Sequence, residues 1–471
     1  MKPKERLAIP RQYPKELSVA ERIINFDEVT FGFDKDTAIK EANRCLQCKK
    51  PKCRDGCPIN NNIPEFIRLL REEKFEEGYW VDRETNSIPA VCSRVCPHEF
   101  QCEGSCIRGK KGDPVAIGML ERFLVDWMVT NKKNMLKACA MPKDKKVAIV
   151  GSGPAGMTCA FELAHAGYQC TIFESLPVFG GMLIVGIPAY RLPRDIIAAE
   201  FDALVNCGVE IINNVTIGKD KSLQDLKNEG FAAVFVAIGA HASRKLGVEG
   251  EDLKGVMHGV DYLRRVNLGE SLNLGRNVVV VGGGNVAIDV ARTALRTGSD
   301  KVFILYRRTK KEMPASQAEI HHLEEEGVKV EFLAAPVKIH GENGKLTKVE
   351  CLRMELGECD ASGRCRPEPV AGSNFMIEAD AIIPAISQDV LHIENPEIEI
   401  ELSRWKTFEV DEITMQTSVD WIFAGGDAVL GPETAAKAAY QGKEAAESII
   451  RYLEGRDLKE GRLPEPEETE E

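Results

Sequence analysis

Apolar residues in this chain form two kinds of pattern: short continuous runs, and longer stretches of helical period. Twice, a run breaks into glycines and hands over to a helical stretch. Residues 147–150 (VAIV) end in Gly151, Gly153 and Gly156, with Pro154 and Ala155 between the last two, and a helical stretch leads to a second run, 171–173, that closes on Glu174. Residues 278–281 (VVVV) end in Gly282, Gly283 and Gly284; Asn285, Val286 and Ala287 open a helix to about Thr297, and the run 302–305 follows. Continuous runs bounded by turn residues suit strands buried on both faces of a parallel sheet. The expected fold is α/β, with two Rossmann-like, three-layer (ββα) units.

The flanking pattern sets the order of domains. Residues 34–43 read as a short helix, 63–78 as an amphipathic stretch and 119–128 as an apolar helical stretch. The run 233–238 reads as a strand returning to the edge of the first unit. Residues 421–427 (WIFAGGD) read as a strand ending in an acid, followed by a last helix at 435–453. These late elements complete the first unit, so the second is inserted in it. The expected division is a helical domain at 1–142, the first unit at 143–255 and 384–456, the inserted unit at 256–383 and an acidic tail at 457–471.

The residues at the two turns differ in chemistry. In the first unit, glycines let backbone approach a pyrophosphate while a helix N-terminus offers unpaired N–H groups. Glu174 stands where an acid accepts hydrogen bonds from an adenosine ribose. Gly181 and Met182 follow in a loop that would lie against an isoalloxazine ring, Gly426 and Asp427 suit the ribityl or pyrophosphate region, and Thr434 opens the last helix near the ring. The second unit closes instead on Tyr306, Arg307 and Arg308, with Lys310 and Lys311 beyond. A carboxylate there would repel a 2′-phosphate, whereas guanidiniums grip it through charge-assisted bonds, so NADP(H) is expected over NAD(H). Loss of Arg307 is expected to cost on the order of 1.5–3 kcal/mol per lost bond. The plainer alternative is a solvated basic turn. A flavin site and a nicotinamide site in one chain imply two-electron transfer between them.

Composition narrows the class. Among 471 residues, 44% are hydrophobic but only 6% aromatic, as in α/β cores built from Val, Ile and Ala. A net charge of −12 disfavours nucleic acid. No secretion signal or membrane-length run stands out, and the expected location is the cytoplasm. Fifteen cysteines are many for such a chain, and the eight between Cys45 and Cys106 argue for ligation rather than disulfides. Cys45, Cys48, Cys53 and Cys57-Pro58 give C-x2-C-x4-C-x3-C-P, close to the bacterial ferredoxin run, and Cys92, Cys96-Pro97, Cys102 and Cys106 form a second set. Two iron–sulfur clusters fit this better than zinc knuckles do. Cys92 reads equally as a buried thiol beside a cluster, and spacing alone makes Glu121 a solvent-facing charge. The other cysteines (Cys139, Cys159, Cys170, Cys207, Cys351, Cys359 and Cys365) read as structural.

With the cysteine runs, GSGPAG, GGGNVA, YRR and AGGD in this order, the chain closely resembles the small (β) subunit of bacterial glutamate synthase over nearly its whole length. It is similar also to the large subunit of NADH-dependent reduced ferredoxin:NADP oxidoreductase and to the N-terminal half of dihydropyrimidine dehydrogenase. The resemblance implies FAD, NADP(H) and two [4Fe–4S] clusters. It implies Cys45, Cys48, Cys53 and Cys106 as ligands of one cluster and Cys57, Cys96, Cys102 and Glu121 of the other, with Cys92 left out. It also turns Arg191 toward the FAD phosphates. Ser387 stands where similar chains usually have glycine, which puts the nicotinamide-side geometry in doubt. The implied role is to pass electrons from NADPH to an electron-accepting subunit, either a glutamate synthase large subunit or a smaller flavoprotein or ferredoxin. Starting Met1-Lys2 and leaving no length for a glutaminase domain or an FMN barrel, the chain is expected to need that partner. The rivals are an electron-bifurcating ferredoxin:NADP oxidoreductase and a zinc-filled, non-catalytic scaffold; a thioredoxin reductase-like activity would need a C-x-x-C that the second nucleotide unit lacks.

Overall fold

The computed structural model describes residues 1–133, 139–360, 364–391, 393–394 and 396–462; the acidic end, 464–471, lies outside them. Near the N-terminus, Asp34 caps the helix Lys35–Ala42 by accepting the Thr37 N–H at 2.8 Å. The amphipathic stretch at 63–78 is two helices, Ile63–Arg71 and Phe75–Arg83. Glu73 takes a left-handed φ of 60° between them, and the Lys74 N–H closes the first helix on the Leu69 carbonyl at 3.0 Å. Both pack their apolar faces, with Phe66, Leu70 and Tyr79 fully buried, against Leu120 and Leu124 of Ile117–Thr130.

The first parallel sheet has the order Ile422–Ala424, Phe231–Val236, Lys146–Val150, Gln169–Phe173, Glu210–Ile212. Phe231–Val236 is thus interior, which corrects its expected edge position. Ile422–Ala424 arrives after the insertion and takes the place outside it. The last helix, Ala435–Glu454, lies on Pro154–His165. A Cβ on Gly442 would fall 2.3 Å from the Ala155 carbonyl oxygen, so the small residues of this helix set how closely the two approach.

The inserted unit has its own parallel sheet, Ala381–Pro384, Asn277–Val281, Lys301–Tyr306 and Lys329–Phe332. An antiparallel meander built on Ala334–Glu342 and Lys345–Cys359 covers it. The chain enters and leaves through Ala242–Ser243 and Gln388–Asp389, which pair antiparallel. Glu249 and Lys254 already bridge to Lys338 and Lys345 of the meander.

An N-terminal segment ties the helical domain to the insertion. Arg22, 2% exposed, meets Glu325 at 2.6 Å and Glu326 at 3.1 Å, and Glu326 also holds Arg292 at 2.8 Å and Arg296 at 2.7 Å. One buried carboxylate therefore serves three guanidiniums. Glu326→Ala is expected to destabilise the fold by about 3–5 kcal/mol, because it strands buried cations; urea unfolding checks this, and an unchanged midpoint contradicts it.

The eight clustered cysteines are all unbonded thiols, but Cys139–Cys207 and Cys359–Cys365 are disulfides. Those four, read from the sequence as structural, are paired with each other. For the second pair the cause is register, since Cys359 and Cys365 face each other across an antiparallel hairpin.

Candidate functional site

The turn after Lys146–Val150 is shaped by what its glycines exclude. Gly151 has φ 105°, and a Cβ there would lie 2.4 Å from the Ala237 carbonyl oxygen; one on Gly156 would lie 2.0 Å from the Gly151 carbonyl oxygen. A Cβ on Gly153 would meet no protein atom within 4 Å, because that side faces an open cavity. Glu174 is buried and holds the turn, accepting the Ser152 N–H at 3.0 Å and the Leu176 N–H at 2.9 Å. Gly153, Pro154, Ala155, Glu174, Gly181 and Met182 all line this cavity of about 440 Å³. Gly426, Asp427 and Thr434 line it from the other half of the unit, and the Gly426 N–H donates to Gln441 Oε1 at 2.8 Å.

The same cavity reaches the second turn. Asn285, Val286 and Asp289 of the helix Asn285–Arg296 line it, while Gly282, Gly284 and Ala287 lie behind in the turn and first helical residues. Asn285 Oδ1 accepts the Ser316 N–H at 3.0 Å. Arg307 and Arg308 follow the strand end, with Arg308 Nε donating to the Cys365 carbonyl at 2.8 Å. Ser387 is absent from the residues with left-handed φ, so glycine is not needed there.

Arg191 lines the cavity, yet its guanidinium is engaged elsewhere. It bonds Asp289 at 2.7 Å and Glu319 at 3.3 Å, both on helices of the insertion. Burial beside two carboxylates makes it a strut between the nucleotide units, and it stays on the cavity wall where the FAD phosphates are expected.

Two sets of thiols lie beyond the cavity. Cys45, Cys48, Cys53 and Cys106 converge on one small apolar-walled cavity with Ile63, Ile67 and Ile117. Burial, then the neighbouring Cys45, Cys106 and Cys48, push the Cys53 thiol up to about 12. Cys45 Sγ also accepts a hydrogen bond from Gln47 Nε2 at 3.3 Å. In the second set, Cys57 and Cys102 lie near each other, and Cys96 lies near both and near Glu121. Glu121 is 6% exposed, so the solvent-facing reading fails. Burial, then the neighbouring Asp82, Cys92 and Cys57, raise its carboxyl well above the usual range, while Asn86 Nδ2 donates to it at 2.7 Å. Cys92 is hydrogen-bonded to Cys96 and belongs to the core beneath the first sheet. Sequence reasoning missed Gln47, Asp82 and Asn86; nothing in their spacing marks them.

The second set adjoins the cavity. Val95 and Pro97, either side of Cys96, line it, and Gln101 Nε2, next to Cys102, donates to Thr434 Oγ1 at 3.3 Å.

Known proteins are similar to this chain in sequence and in fold. Residues 22–133 match the family described as dihydropyrimidine dehydrogenase domain II, 4Fe-4S cluster, and residues 145–442 match the pyridine nucleotide-disulphide oxidoreductase family. The glutamate synthase [NADPH] small chain of Azospirillum brasilense is 36% identical over 461 residues, covering 95% of each chain. The chain belongs to the glutamate synthase small-subunit family. The NADPH-Fe(3+) oxidoreductase subunit beta of Geobacter sulfurreducens is 43% identical over 429 residues, 85% of this chain, and this chain spans 63% of its length. In fold, the nucleotide units are similar to Mycobacterium tuberculosis FprA, with a TM-score of 0.58 at 20% identity over 69% of this chain and 88% of that one.

As a glutamate synthase small-subunit family member, the chain is an oxidoreductase of the flavin-, pyridine nucleotide- and 4Fe–4S-binding kind. Its residues fit those groups: unbonded thiols crowd together in apolar walls, and the first turn leaves Gly153 open to the cavity. Among the described residues no helix is long and apolar enough to cross a membrane.

Asp427 gives this site a pH dependence. Burial, only partly offset by the Glu433 N–H, pushes its carboxyl up to about 7. Its folded pKa exceeds its unfolded one, so the flavin-free protein is expected to lose stability as pH rises from about 4 through about 7. Comparing unfolding midpoints of the wild type and Asp427→Asn across that window isolates the effect. Parallel curves for the two proteins contradict it.

Proposed function

We propose that this chain oxidises NADPH and delivers the electrons through FAD and two [4Fe–4S] clusters to a partner protein, as the small subunit of an NADPH-dependent glutamate synthase. The observation that carries this reading is the single cavity bordered by the first glycine turn, by the start of the helix that follows the second, and by the residues flanking Cys96. When bound, FAD accepts two electrons together and each cluster takes one. Gly151, Gly153, Gly156, Glu174 and Asp427 would hold the flavin; Gly282, Gly284, Arg307 and Arg308 would hold NADPH. Cys45, Cys48, Cys53 and Cys106 would ligate one cluster, and Cys57, Cys96, Cys102 and Glu121 the other. Arg191 would hold the two nucleotide units in register, and no side chain need act as general acid or base for hydride transfer. Glutamine hydrolysis and reduction of the 2-oxoglutarate adduct would fall to the large subunit.

A second reading keeps this input and changes the acceptor. It is favoured by the 43% identity to the subunit of an NADPH-Fe(3+) oxidoreductase. Anaerobic titration tests the shared input: NADPH is expected to bleach the flavin at much lower concentration than NADH does, and equal bleaching contradicts it. Mixing with a glutamate synthase large subunit separates the acceptors, since the first reading requires glutamate to form from glutamine and 2-oxoglutarate.

A further inference from the structure

A third guanidinium comes close to Arg307 and Arg308 from a distant part of the chain. The antiparallel arm of Lys345–Cys359 and Cys365–Pro369 folds back onto the strand end Lys301–Tyr306, and the Cys365 carbonyl accepts the Arg308 Nε hydrogen bond at 2.8 Å. The residue before it is Arg364, whose backbone N–H donates to Asp360 Oδ1 at 3.1 Å. Burial, then the neighbouring Arg308 and Arg364, hold the Arg307 guanidinium below its ordinary value. Among the described residues, none of these three arginines forms an ion pair with a carboxylate, although most other arginines here do. Like charges gathered together are unfavourable alone and favourable around an anion. The end of the second strand of such a unit is where the substituent on the adenosine ribose falls.

We propose that Arg364 is a specificity-determining residue for the 2′-phosphate of NADP(H), and that the Cys359–Cys365 bridge positions it by closing the arm on which it stands. This rests on the second glycine turn being the NADPH site. Arg307 and Arg308 are legible as a pair in the sequence; Arg364 joins them only through the hairpin. The bridge fixes Cys365, the residue after Arg364, to Cys359, so it limits the positions open to the Arg364 backbone.

Calorimetric titration of the full chain with adenosine 2′,5′-bisphosphate and with 5′-ADP separates the phosphate contact from the rest of the nucleotide. Arg364→Gln is expected to weaken the bisphosphate about ten- to a hundredfold and to leave 5′-ADP unchanged, with Arg364→Lys recovering part of the loss. The double variant Cys359→Ser/Cys365→Ser is expected to show a smaller loss in the same selective sense. If Arg307→Gln removes the preference and Arg364→Gln keeps it, the proposal is overturned while the NADPH reading stands. If Arg364→Gln weakens both ligands equally, its role is structural and the proposal also fails. A bridge variant with full preference overturns the positioning role of the disulfide. A wild-type protein that binds both ligands equally sinks the NADPH reading and this inference with it.

Discussion

Cys96→Ser is expected to lower the iron of the purified protein from about eight to about four atoms per chain, while NADPH still bleaches the flavin. Cys96 ends the helix Pro89–Val95 and lies near Cys57, Cys102 and Glu121, with Val95 and Pro97 on the cavity wall. Its loss would break the thiol set next to the proposed flavin cavity and leave the Cys45, Cys48, Cys53 and Cys106 set intact. Reduction of a protein acceptor should fall at least tenfold, because the outer cluster loses its supply. Cys92→Ala is the control: Cys92 also neighbours Glu121, but it is packed into the core beneath the first sheet. Iron analysis decides between them. Full iron in Cys96→Ser, or lost iron in Cys92→Ala, would reverse the ligand assignment.

Gly156→Val should yield a protein without flavin. Its Cβ would fall 2.0 Å from the Gly151 carbonyl oxygen, and backbone on both sides cannot yield as a flexible side chain would. Helix and turn must part, which opens the pyrophosphate cradle and costs about 1–3 kcal/mol of stability. Gly153→Ala makes the contrast sharp, since its Cβ meets no protein atom and points into open space. That variant should keep wild-type stability yet bind flavin more weakly. Absorbance of the purified proteins and their unfolding midpoints check both outcomes; a Gly156→Val protein as yellow and as stable as wild type contradicts the cradle.

Much of this architecture is local enough to read from sequence. The breaks at Gly151 and Gly282 announce their own strands and helices, because a run of buried residues, a sharp turn and a helix are set by neighbours. What depends on distant chain was lost. Phe231–Val236 reads as an edge strand until Ile422–Ala424 arrives beyond it. The pairing of Arg191 with Asp289 and Glu319, on a separately inserted unit, has no mark in the sequence. The left-handed Glu73 that splits the stretch at 63–78 has no glycine to announce it. Glu121 is instructive: its spacing suggests solvent, family resemblance suggests a ligand, and the structure buries it among thiols and Asp82.

Electrons are expected to pass between the nicotinamide site and the thiol-held clusters through the shared cavity. The direct test is to reduce the chain fully, remove the reductant, add excess NADP+ without oxygen and count the NADPH formed. A flavin stores two electrons and two clusters store one each, so about two NADPH per chain are expected. About one per chain, with the clusters left reduced, would mean that the flavin alone communicates with the nucleotide and would contradict the account.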